Sequence, residues 1–116
     1  MPVLDAGSGT GIVTLGFQSA GFRPRKTVAL DLSFNSLKVA REEFEKDKQT
    51  DSENIAPVQG NVLSLPFADE TFDLVLSCGV LEYVPLDDGL REMARVLKTG
   101  APLVFIPVKP SLVGSV

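Results

Sequence analysis

The run Asp5-Ala-Gly-Ser-Gly-Thr-Gly places a carboxylate directly ahead of three glycines, Gly7, Gly9 and Gly11. Lacking a Cβ, glycine lets the chain turn tightly and lets a ligand come close to the main chain. The spacing is G-x-G-x-G. The dinucleotide fingerprint is G-x-G-x-x-G, and its third glycine would fall on Ile12. No lysine follows in the manner of a phosphate-binding P-loop. Taken alone, the run also describes a tight strand-to-helix turn with no ligand. A second carboxylate, Asp31, ends the next apolar run twenty residues after Gly11. A carboxylate there can accept hydrogen bonds from both hydroxyls of a ribose. It can equally be the negative charge favoured at a helix N-terminus, beside the cap Ser33. Together the glycine turn and Asp31 point to a ligand that carries a nucleoside.

Other chemistries are closed off. The chain has no histidine, which removes histidine triads, histidine general bases and imidazole-dependent zinc sites; no metal site is expected. Cys78 is the single cysteine, so no internal disulfide can form, which fits a reducing cytoplasm. It has no evident partner base, and a small buried side chain is its default role. A net charge of −4 argues against gripping a phosphate backbone, so no nucleic-acid partner is expected. No apolar run approaches the ~18 residues that read as a transmembrane segment, and the N-terminus lacks the pattern of a secretory signal.

These candidate residues need elements to hold them, and 116 residues, 44% of them hydrophobic, suffice for one domain with a core. Apolar runs at Val3–Asp5, Thr27–Asp31, Ile55–Gly60, Phe72–Ser77 and Leu103–Ile106 read as five strands. Between them lie three helical patterns. The first carries Ile12, Leu15 and Phe17, is capped by Gly9 or Thr10 and stopped by Gly21. The second runs from the cap Ser33 to about Lys48, with Phe34, Leu37, Ala40 and Phe44 inward and Glu42 paired to Lys46 on a wet face. The third is capped by Asp87 or Asp88, carries the stripe Leu90, Met93, Ala94 and Leu97, and is stopped by Gly100. Residues 51–54 read as polar loop.

Such alternation implies a parallel sheet with right-handed crossovers, a three-layer α/β sandwich. One connection, Asn61–Thr71, contains no clear helix. In the strand order 3-2-1-4-5 it crosses three strand spacings, roughly 14 Å, well within reach of its residues at ~3.3 Å each. That order also puts Pro57, which cannot donate to a ladder, on an edge strand. The first strand then lies beside the switch point, where open sheets of this type bind ligands. The domain is expected to span residues 1–108, with an irregular tail at 109–116.

Four segments, in order, carry a family resemblance: Val3-Leu-Asp-Ala-Gly-Ser-Gly-Thr-Gly, Ala29-Leu-Asp-Leu-Ser, the stretch from Gln59 through Phe72-Asp-Leu-Val-Leu-Ser, and Leu90-Arg-Glu-Met-Ala-Arg-Val-Leu-Lys-Thr-Gly. They resemble the motifs of class I S-adenosylmethionine-dependent methyltransferases, and most closely the small-molecule enzymes of ubiquinone and menaquinone biosynthesis. The resemblance implies a Rossmann-like fold and S-adenosyl-L-methionine as cofactor. It implies that Gly7, Gly9 and Gly11 lie against the methionine part, and that Asp5 holds its amino group directly or through water. It further implies that Asp31 takes the ribose hydroxyls, Leu32 packs on the adenine, and Asn61 and Val62 meet the adenine edge. Many relatives have aspartate at the position of Asn61, which here accepts without charge.

The implied reaction is in-line displacement of the methyl group onto a small-molecule acceptor, in which positioning is the main contribution. A general base is needed only where the acceptor must lose a proton. Glu82, after the fourth strand and beside Tyr83, is the candidate; the catalytic residue is otherwise unassigned. The segment Ser77-Cys-Gly-Val differs from the signature of nucleic-acid amino methyltransferases. Relatives also carry helices before the first motif, and a helix and antiparallel strand pair after strand five. The chain therefore reads as truncated at both ends, with an exposed fifth strand open to self-association or a partner. The alternative reading is a non-catalytic Rossmann-like module acting through a partner.

Overall fold

The computed structural model describes residues 1–48, 50–81 and 83–106. Its sheet comprises β1 (Pro2–Ala6), β2 (Lys26–Asp31), β3 (Ile55–Gln59), β4 (Leu74–Cys78) and β5 (Leu103–Ile106). The order is β3-β2-β1-β4-β5, and every strand pairing is parallel. Pro57 lies on the edge strand β3, opposite Ala29. Phe72, expected within β4, is buried just ahead of it and bridges to Leu97 instead.

Side chains alternate between the two faces of a strand, and both faces are covered, which makes three layers. On one face α1 (Ile12–Ser19) and α2 (Phe34–Lys46) cover Val3, Leu74 and Leu76 on one side and Ala29 and Ile55 on the other. On the opposite face, Leu4, Ala6, Val28, Leu30 and Val75 pack against α3 (Leu86–Val96) and the helix-free crossover after β3. The segment expected as polar loop contains one short 3-10 turn, Ser52–Asn54. The tail expected from residue 109 lies outside the described residues.

Helix α1 departs from its expected face and cap. Its N-cap is Gly11, in the left-handed conformation at φ 87°, so neither Gly9 nor Thr10 caps it. Ile12 is 75% exposed, while Thr14 and Gln18 are buried. Polar groups tolerate burial when they find partners: Thr14 donates to Asp5, and Gln18 accepts from the Asp51 amide. The stop at Gly21 is as expected, and its mechanism is visible. Gly21, at φ 93°, donates to the Gln18 carbonyl and Phe22 donates to the Phe17 carbonyl, the paired bonds of a Schellman motif. The Phe17 and Phe22 rings close it edge to face at 5.7 Å.

The other helices keep their places with shifted details. Ser33 caps α2 by accepting from the Ser36 amide at 3.2 Å. The helix ends at Lys46 rather than Lys48. Phe34, the first residue of the helix, is exposed, and Leu37, Ala40 and Phe44 form the buried stripe. Lys46 pairs with Glu43, not Glu42, at 3.9 Å on an exposed surface, where such pairs contribute little. Helix α3 starts one residue before Asp87, capped by Pro85, so Asp87 and Asp88 are first-turn charges rather than caps. It ends at Val96, before Leu97 and Gly100. Its buried residues are Gly89, Met93 and Val96. Ala94 is exposed, since the inward stripe runs through Gly89, where a Cβ would lie 2.8 Å from the Leu81 side chain.

A polar clasp holds the crossover to α3. Arg95 donates to Glu92, to Asp69 and to the carbonyls of Leu65 and Phe67 at 2.8–3.1 Å. Glu92 in turn accepts from the Leu65 amide at 2.7 Å. All five guanidinium N–H groups are thereby used. The Arg95 hydrogen bond, above all, holds the Glu92 carboxyl below its usual range. With no helix of its own, the crossover takes its shape from this clasp and from the burial of Val62, Leu65 and Phe72.

Candidate functional site

Parallel strands all point the same way, so the turns that follow β1 to β4 gather at one end of the sheet. A cleft of about 200 Å³ opens there, lined by Gly7, Asp31, Leu32, Gly60, Asn61, Val62, Gly79, Val80, Tyr83 and Val84. Five sequence candidates thus meet in one place: Gly7, Asp31, Leu32, Asn61 and Val62. Glu82, the candidate base, lies outside the described residues. Gly60, Gly79, Val80 and Val84 were not singled out from the sequence. Gly60 and Gly79 are glycines just past a strand end, which was the available signal.

The glycines of the turn divide their work. A Cβ on Gly11 would lie 2.7 Å from the Phe44 ring, so this glycine lets α2 pack against the start of α1. A Cβ on Gly7 would collide with the Val80 side chain, which closes that end of the cleft. At Gly9 a Cβ would meet nothing within 4 Å, and φ is +56°. Gly9 is the glycine whose Cα faces open space.

Asp31 ties this turn to the next helix. Its Oδ1 accepts from the Gly9 amide at 3.1 Å and its Oδ2 from the Ser33 amide at 2.9 Å. Asp31 therefore braces the start of α2, as the helix-terminus reading has it, and also lines the cleft. An ionised carboxylate has about four acceptor positions, so each oxygen retains capacity for a ligand hydroxyl. Asn61 likewise serves its own turn, accepting from the Leu63 amide at 2.9 Å, while it lines the cleft. Leu32 is 67% exposed and Val62 is buried, so one offers a free apolar face and the other a fixed wall.

Asp5 is different in kind. It is fully buried. Oδ2 accepts from the Thr14 hydroxyl at 2.6 Å, whereas Oδ1 has no protein donor. Burial pushes its pKa up to about 6, the Thr14 bond acts against this, and the Asp31 charge adds to it. Thr14 escaped the sequence reading; a threonine four residues before Gln18 on the inward face of a short helix was the signal available.

A parallel, doubly wound sheet with a glycine turn after β1 and a carboxylate ending β2 defines a Rossmann-like domain. A family model described as a methyltransferase domain matches residues 4–105. The chain belongs to this methyltransferase-domain family. Among its relatives, the demethylmenaquinone methyltransferase of Thermobifida fusca (strain YX) is 37% identical over 114 residues, covering 93% of this chain and 46% of the relative. That of Shouchella clausii (strain KSM-K16) is 40% identical over 104 residues, covering 89% and 43%. A SAM-dependent methyltransferase of Methanosarcina mazei superposes with a TM-score of 0.77 at 25% identity, covering 90% of this chain and 50% of that one. The chain spans less than half the length of the two demethylmenaquinone methyltransferases. Among the described residues no helix is long and apolar enough to cross a membrane.

Proposed function

We propose that the chain binds S-adenosyl-L-methionine in this cleft and serves a methyltransferase acting on a small-molecule acceptor. The observation that carries this reading is the joint of Gly9 and Asp31. It sets a glycine facing open space beside a carboxylate with spare acceptor capacity, at the switch point of the sheet. The residues also suit the cofactor's parts. Asp31 accepts from the ribose hydroxyls. Leu32, Asn61 and Val62 receive the adenine. Gly7 and Gly9 admit the methionine chain, with Asp5 beneath as the acceptor for its ammonium group. Gly11 contributes by letting the turn pack.

When bound, the cofactor supplies a methyl group on a sulfonium, a reactive centre that needs alignment more than activation. This chain's residues bind and orient it; Val80, Tyr83 and Val84 form an apolar wall beside it. Glu82 remains the candidate base for acceptors that must lose a proton. The relatives named for demethylmenaquinone make a quinone-type ring the first acceptor class to test. We assign the protein to the cytoplasm and expect no nucleic-acid partner. We also expect association, with itself or a partner, along β5, where Val104 and Phe105 are partly exposed.

Titration calorimetry with S-adenosylhomocysteine and NAD tests the reading. Binding of the former alone is expected. Preference for NAD, or binding of neither, would refute it. A labelled-methyl assay on quinols, phenols, amines and lipids then tests transfer.

A further inference from the structure

Asp5 is a carboxylate short of partners. Its neighbours across the sheet are Ala29 and Leu76, which offer no donor side chain. The helix packed over it, α1, has the sequence IVTLGFQS and contains no ionisable residue. The charge acting on it among the described residues is that of Asp31, which is repulsive. The Thr14 hydroxyl fixes Oδ2 at 2.6 Å, and Oδ1 has no donor among the described residues. A buried charge persists when it is paired, and among the described residues no cation pairs this one. Asp5 precedes Gly7, a wall of the cleft, by two residues.

We propose that Thr14 is a positioning residue for cofactor binding, holding one oxygen of Asp5 so that the other is left for the ligand's ammonium group, directly or through a water. The proposal rests on the cofactor reading above and adds to it a residue and a pH dependence. Thr14 touches no ligand. It acts by favouring the ionised form of Asp5 and by fixing the carboxylate's rotation. The ammonium group does the first of these too, so binding and ionisation of Asp5 are linked: at pH values where the free chain holds Asp5 protonated, binding must release that proton. Affinity then falls about tenfold for each pH unit below the point at which Asp5 titrates. Removing the Thr14 hydroxyl moves that point upward, because a bond that lowered the pKa is gone.

The test is calorimetry on the full chain from pH 5 to 8, with two probes. S-adenosylhomocysteine carries the ammonium group; 5′-methylthioadenosine has the same nucleoside without it. In the parent chain, affinity for the first should fall on the acid side and affinity for the second should stay flat. Thr14→Val should shift the acid limb to higher pH and weaken S-adenosylhomocysteine roughly tenfold at pH 7, the scale of a hydrogen bond to a charged group. Thr14→Ser should restore both. Asp5→Asn should flatten the profile, which keeps the test decisive if the valine variant folds poorly. A Thr14→Val profile that superposes on the parent's, or an Asp5→Asn chain that keeps the acid limb, would overturn the proposal while leaving the cofactor reading intact. Failure of the parent to bind either probe would sink both.

Discussion

Replacing Asp5 with asparagine should favour the fold increasingly as pH rises from 4 to 6, although it removes a residue assigned to binding. Asparagine keeps the size of the side chain and an oxygen to accept from Thr14, but carries no charge. The charge is what is costly here. Burial raises the Asp5 pKa from 3.8 to about 6. At 1.36 kcal/mol per unit, holding it ionised in the folded chain costs about 3 kcal/mol. The sign follows from proton counting. Between pH 4 and pH 6 the folded chain retains a proton that the unfolded chain has released, so Asp5's contribution falls as pH rises through that window and is flat above it. Asparagine exchanges no proton. The stability difference between the two chains therefore cancels the titrating groups that do not interact with Asp5, leaving this one and its smaller coupling to Asp31.

That difference should move in favour of asparagine by about 1.4 kcal/mol per pH unit between pH 4 and pH 6, reaching about 3 kcal/mol by pH 7. The new amide nitrogen, buried without an acceptor, costs ~1–3 kcal/mol. This offsets the whole curve without changing its shape, so the slope is the test. Urea unfolding followed by circular dichroism from pH 4.5 to 8 measures it. About 2 kcal/mol of that change falls within this range, so with a denaturant slope of ~1–3 kcal/mol/M, typical of small domains, the gap between midpoints should change by about 0.7–2 M. An asparagine-minus-aspartate midpoint difference that stays constant across this range, or falls as pH rises, would refute a raised Asp5 pKa and the unpaired-carboxylate account with it.

Asp31→Ala should weaken S-adenosylhomocysteine by ~1.5–3 kcal/mol in calorimetry, the scale for bonds to a charged group; unchanged affinity would remove Asp31 from the site. Gly9→Val should block ligand approach and further reduce that affinity, with a fold cost limited to the strain of its positive φ, ~1–3 kcal/mol. Gly11→Ala should show the reverse balance, since its Cβ meets the Phe44 ring: a destabilisation of about 1–3 kcal/mol from overpacking alone, plus strain, read by thermal melting. Arg95→Met should lower the melting temperature and speed hydrogen exchange at the Leu65 amide, whose acceptor is Glu92. Protection there equal to the parent's would show that the clasp does not hold the crossover.

The strands and their order were legible because they depend on local signals. Pro57 marks an edge wherever it falls in a sheet, and the helix-free link is long enough for the crossing that the order 3-2-1-4-5 requires. Helix faces were less legible. Counting apolar residues turned Ile12, Phe34 and Ala94 inward, yet all three are exposed. Buried places in α1 go instead to Thr14 and Gln18, whose partners, Asp5 and the Asp51 amide, lie on other elements. A polar side chain is buried only where another element completes it, and hydrophobic spacing carries no record of that. The Arg95 clasp stayed hidden for the same reason, its acceptors lying up to thirty residues away.

The glycine run makes the point most sharply. As a motif, Gly7, Gly9 and Gly11 look equivalent, and the resemblance assigned all three to the cofactor. In the fold, each has positive φ, but only for Gly9 does the absent side chain leave open space. Gly7 makes room for Val80, and Gly11 for Phe44, thirty-three residues further along the chain. The spacing G-x-G-x-G thus combines a conformational demand common to the three with packing demands that differ. Losing Gly11 would first disturb the seat of α2, and with it the braced Asp31. On the cofactor reading proposed above, losing Gly9 would first disturb the ligand. Sequence alone gives the turn; the partner across each glycine decides which of them packs the fold and which is left facing open space.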